Sequence, residues 1–288
     1  MGADDMLLCA MRRVFLAGTV IWWGVAAMAA AQDADRSVTG DVLKGEYSTA
    51  RAMDLVYGGY DVETKSSIWS PKAGPNWGNG WPGVVRVQVL KDDTYSDGGV
   101  PRHVLATWAR PDVMGAGEYS CHACGVLVGV VVFRKEAAGW KVESSDLQLA
   151  QIGVSGLPPK AKAQRLGAHT WGVVAWIGDM HQGQVEQAMW IFGPKTGGFG
   201  EWFKAELVDD DKYGEFPQDD WCKQRTGELD VMCIWREIDY SMHAEEAKQV
   251  YDMVRTRRMP NGVKLEIWRF EGERFAKATQ QASVVKNP

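Results

Sequence analysis

From Val84 to the C-terminus the chain repeats one pattern, short apolar runs of period two, each closed by Gly, Pro, Asn or Asp. A period of two puts alternate side chains on opposite faces of a pleated strand, so a chain written this way is committed to β-sheet. The candidate strands fall into three groups. The first holds Val84 to Leu90, Arg102 to Arg110, Val126 to Arg134 and Trp140 to Leu149. The second holds Ala161 to Leu166, Trp171 to Gly178, Val185 to Phe192 and Trp202 to Val208. The third holds Cys233 to Tyr240, Val250 to Arg258, Val263 to Phe270 and Phe275 to Thr279. Met259-Pro260-Asn261-Gly262 is a strong turn signal and predicts a hairpin between two of them. The expected fold is mainly β, an antiparallel meander of about twelve strands preceded by one N-terminal helix.

The three groups share an echo in their last two strands. Val131-Val132-Phe133 leads to Gly139-Trp140, Trp190-Ile191-Phe192 to Gly200-Glu201-Trp202, and Trp268-Arg269-Phe270 to Gly272-Glu273-Arg274-Phe275. Cross-strand aromatic pairs stabilise any hairpin, which accounts for the echo without duplication. Read as a repeat, it points to four-stranded sheets in a propeller-like arrangement, although three are few for a closed ring. An open meander is the simpler expectation.

Upstream, the chain divides into residues 1–31, 32–83 and 84–288. Arg12 and Arg13 precede an apolar run from Val14 to Met28 that ends in Ala29-Ala30-Ala31. That order is a secretory signal peptide, and cleavage after Ala31 makes Gln32 the first mature residue. The run is short of the ~20 apolar residues of a spanning helix, so no membrane anchor is expected after cleavage. Asp4 and Asp5 fit a basic n-region poorly, which favours translation from Met11. Arg12-Arg13-Val14-Phe15-Leu16 also resembles a twin-arginine export signal. The protein is therefore expected in the periplasm or outside the cell. Beyond the cut, apolar spacing from Asp41 to Tyr57 predicts a helix stopped by Gly58 and Gly59. Tyr60 to Gly83 then reads as a long loop rich in Gly and Pro.

Export makes the cysteines informative. Cys121, Cys124, Cys222 and Cys233 remain after cleavage, an even count that reads first as disulfides in an oxidising compartment. Spacing favours two local bridges, Cys121 with Cys124 and Cys222 with Cys233. Cys121-His122-Ala123-Cys124 also admits a metal or thiol-redox reading. The β-like run after it lacks the helix that makes a redox cysteine acidic, and a metal shell needs a further ligand such as His103 or His181. Gly125 stands where haem attachment would need His.

Candidate ligand-binding residues come from two places. Trp69, Trp77 and Trp81 lie in the Gly/Pro-rich loop, where exposed indoles can stack on sugar faces or grip peptide groups. Gly178 to Gly183 reads as a hairpin loop carrying Asp179 and His181, a carboxylate and an imidazole at one tip. No Ser or Cys nucleophile lies near them and no G-x-S-x-G occurs, so no catalytic residue is assigned. Asp209-Asp210-Asp211 and Asp219-Asp220 lack calcium-loop spacing. No motif asks for a cofactor. With 32 Lys and Arg against 37 Asp and Glu, the chain has no basic footprint for nucleic acid. The leading expectation is an exported, non-enzymatic protein that binds an envelope glycan or protein. A periplasmic hydrolase with a carboxylate/His site and a metal or thiol-redox protein are the alternatives.

Overall fold

The computed structural model describes residues 37–71, 83–112, 125–153, 156–181, 184–206, 238–245, 247–259, 262–278 and 284–285. Each of the expected runs from Val84 onward holds a strand, and every pairing is antiparallel. The fold is mainly β, with one helix near the N-terminus.

The first sheet has six strands. Four are long: β3 (Val85–Asp97), β4 (Val100–Pro111), β5 (Val126–Glu136) and β6 (Gly139–Ile152). The segment expected to stand apart as 32–83 supplies its two edges. β1 (Val42–Lys44) pairs with β6 and β2 (Ser66–Trp69) with β3, giving the order β1-β6-β5-β4-β3-β2. Two upstream expectations are corrected here. The helix expected from Asp41 is shorter, α1 (Thr49–Tyr57), because Val42 to Lys44 joins the sheet and Gly45, at φ +77°, turns the chain. Ser48 caps α1 in an extended conformation, its hydroxyl accepting from Arg51 N–H at 3.4 Å. The presumed long loop contains β2, reached through a bridge between Asp61 and Ser66.

The second sheet is a meander of β7 (Lys160–Arg165), β8 (Trp171–His181), β9 (Gln184–Lys195) and β10 (Gly198–Glu206). The third is β11 (Ile238–His243), β12 (Asp252–Met259), β13 (Gly262–Phe270) and β14 (Phe275–Lys277), with β15 (Val284–Val285) also on β13. Met259 pairs with Gly262, as the turn signal predicts. At Met242 to Gln249, where Ala, Glu and Lys favour a helix, the chain is strand through His243. Met242 pairs with Met253 and packs into the core, which decides against local helix propensity.

These layers stack in series. α1 buries Ala52, Met53, Val56 and Tyr57 on one face of the first sheet. The other face meets the second sheet through Val104, Val128, Val130 and Val132 against Val173, Trp190 and Phe192. The far face of the second sheet meets the third through Ile191, Trp202, Phe203, Met253 and Phe275. β5 is thus covered on both sides, and Val126 to Phe133 are all buried. No buried cluster among the described residues joins the third sheet back to the first, so a closed, propeller-like ring is not confirmed.

One polar knot lies inside this core. Tyr57 Oη and Thr107 Oγ1 are 2.7 Å apart, and Thr107 donates to the Gly129 carbonyl at 3.4 Å. A Cβ at Gly129 would lie 2.9 Å from both side-chain oxygens, so glycine is needed there for close approach. Burial pushes the Tyr57 phenol far above its usual range and keeps it neutral.

Candidate functional site

The third sheet does not cover the second evenly. Phe203 of β10 touches Tyr240 at 5.3 Å and Trp268 at 5.1 Å, and Trp202 touches Phe270 at 4.2 Å. Aromatic cover is therefore densest over β10, while Leu166 and Val174 also pack against the third sheet. The β7 and β8 side is left as a shelf, bounded by the edge strand β11. Between shelf and edge is a cleft of about 410 Å³, within the range of ligand sites.

The strand pleat makes the shelf. Along β7, Ala161 and Ala163 pack towards the first sheet, which turns Lys162 and Gln164 to the cleft. Trp176 and Val174 of β8 and Met189 of β9 form an apolar floor. Tyr240, Ser241 and Met242 of β11 form the opposite wall, with Met253 behind them. Methionine side chains adapt to differently shaped apolar groups. Burial holds the Tyr240 phenol above its usual pKa, with the Arg255 charge acting against the rise, so the wall carries a neutral hydroxyl.

Two other polar clusters are well built but differently equipped. Asp92 accepts from Thr49 Oγ1 at 2.7 Å and Tyr47 Oη at 3.0 Å, and its other oxygen lies 3.3 Å from His103 Nδ1. Tyr47 stacks flat on the His103 ring at 3.6 Å and Trp140 meets that ring edge-on. This is a carboxylate-oriented imidazole, and no hydrogen bond joins it to a serine or cysteine among the described residues. The second cluster is Glu266, only 5% exposed, held by Arg255 at 3.0 Å, Lys264 at 3.1 Å and Lys277 at 2.6 Å. A polar groove of about 940 Å³ lies at the β9–β10 and β13–β14 turns, where Lys248 is matched by Glu245 and Asp252.

The sequence-derived residues fall in three places. Trp69 is corrected: it is a β2 residue, 3% exposed, packed edge-on against Tyr57 at 5.4 Å, so its indole is core and not platform. Asp179 and His181 are strand residues and not loop-tip residues, because β8 and β9 stay paired as far as His181 and Gln184. Asp179 stands opposite Glu186 and His181 opposite Gln184. Trp77, Trp81, Cys121, Cys124, Cys222 and Cys233 lie outside the described residues. Among the described residues, no three His, Cys, Asp or Glu side chains converge as a metal shell would, and no helix is long and apolar enough to cross a membrane.

Sequence reasoning passed over the cleft because its two walls come from strands 75 or so residues apart, joined only by tertiary packing. The alternation Lys-Ala-Lys-Ala-Gln in β7 was its one legible sign. Compared with family models, with curated proteins and with solved structures, the chain matches none.

Proposed function

We propose that the chain is an exported, non-enzymatic binding protein of the cell envelope that takes its ligand in the cleft between β7 and β11. One observation carries this reading: between two built walls lies a cleft whose apolar floor keeps Trp176 and Met189 only partly buried, above a buried Val174. A signal peptide ending at Ala31 supports export. The cleft chemistry favours a protein ligand over a glycan, because the floor is mainly apolar and the hydrogen-bonding side chains Lys162, Gln164, Tyr240 and Ser241 stand on two separate walls. The imidazole of His103 is occupied in stacking and in the Asp92 contact, which argues for a structural part.

The test is photo-cross-linking in producing cells. A benzophenone side chain at Met242 is expected to give a discrete adduct in the envelope fraction, lost when Met189→Trp fills the cleft. The same probe at Val62, a 71% exposed residue remote from the cleft, serves as control. Equal adduct yield from both positions, or none from Met242, removes the reading.

A further inference from the structure

We propose that the cleft is a strand-addition site. It accepts an extended segment of a partner protein, paired along β11, with an apolar side chain over Trp176 and an acidic side chain against Lys162. The proposal rests on the binding reading above and adds the form and charge of the ligand.

The geometry is that of a missing strand. β11 is the last strand of the third sheet among those described, and no described strand pairs with the outer row of its backbone N–H and C=O groups. A further strand would lie about 4.8 Å beyond it, over β8 and β7, and packed sheets stand about 10 Å apart. The shelf is therefore the surface on which that strand would rest its downward side chains. Its floor can receive them on the partly buried Trp176, with Met189 and Met242 able to adjust.

The opposite wall cannot do the pairing. On β7 the outward N–H of Ala163 is already taken by Asp93 Oδ2 at 3.1 Å, and Asp93 is held by Lys91 at 3.1 Å. That side chain blunts the β7 edge, as native sheets commonly do. β7 contributes charge instead. Lys162 is exposed at the rim, and no carboxylate among the described residues lies within ion-pair distance of it. An extended ligand places downward side chains two residues apart, so one can sit on Trp176 while another reaches Lys162.

The experiment selects a random decapeptide phage library against the full exported chain and against its Lys162→Glu variant. Lys162 is a surface residue, so this variant folds. Peptides enriched on the parent chain are expected to alternate, with an acidic residue two positions from an apolar one. The synthetic winner should slow amide exchange in β11 at least tenfold and bind Lys162→Glu at least tenfold more weakly. Gln164→Lys should bind it more tightly. Winners that leave β11 exchange unchanged, or that ignore both substitutions, overturn the proposal. A chain that dimerises through β11 in sedimentation, or a Met242 adduct that proves to be a glycan or a small amphiphile, also overturns it. In that last case the binding reading survives.

Discussion

At the scale of single residues, the buried polar groups set the sharpest expectations. Gly129→Ala places a methyl group against Tyr57, Thr107 and the Leu147 carbonyl, and all three sit in a core packed on both sides. The expected loss is about 2–3 kcal/mol, the ordinary cost of overpacking, read from the chemical denaturation midpoint. Tyr57→Phe should cost less, about 1 kcal/mol, since it removes one hydrogen bond and leaves Thr107 its bond to the Gly129 carbonyl. Glu266 gives a pH dependence. Burial works against its charge, but the bonds from Lys277 and Lys264 and the charge of Arg255 hold its pKa down to about 2 from an ordinary 4.5. A folded pKa below the unfolded one means that the stabilisation is full above pH 4.5 and is lost as pH falls towards 2. Glu266→Gln should flatten the stability curve over that interval and lower stability at neutral pH; an unchanged acid limb would show that this cluster contributes nothing.

At the scale of elements, turns decide which side chains meet. Gly98 and Gly99, at φ +56° and +78°, form the two-residue turn between β3 and β4. Two positive φ values match the twist of the flanking strands and suit glycine. Gly99→Val should cost about 1–2 kcal/mol and should loosen the Asp92–His103 contact, visible in the imidazole nitrogen shifts. That contact was derivable from the sequence once the turn was recognised. Counting back from Asp97 opposite Val100 puts Thr94 opposite His103 and Asp92 opposite Leu105. The strands themselves were legible because apolar period two survives wherever one face is buried. β1 was not, since three residues hold no period and its pairing depends on β6. The cleft was not either, because periodicity tells which face of β7 is polar and not what stands across from it.

At the scale of the whole molecule, layers in series imply graded protection. β5 has neighbours on both edges and buried side chains on both faces, whereas β14 lies at the rim of the outermost sheet. Native-state hydrogen exchange should therefore be slowest in β5 and much faster in β14, with β8 and β9 between. Uniform protection across the three sheets would mean that the stack unfolds as one unit.

The turns also set an order in time. Asp97 to Val100, Glu136 to Gly139 and Lys195 to Gly198 close within two intervening residues, all at the end where β7 turns into β8 near Asp97. The connections from β4 to β5 and from β10 to β11 are far longer and leave the opposite end. Closing a short loop costs little entropy, so these hairpins should form before the long closures are made. An unfolded chain would then regain its structure from local pairs, and its slowest step would be the docking of one finished hairpin on the next.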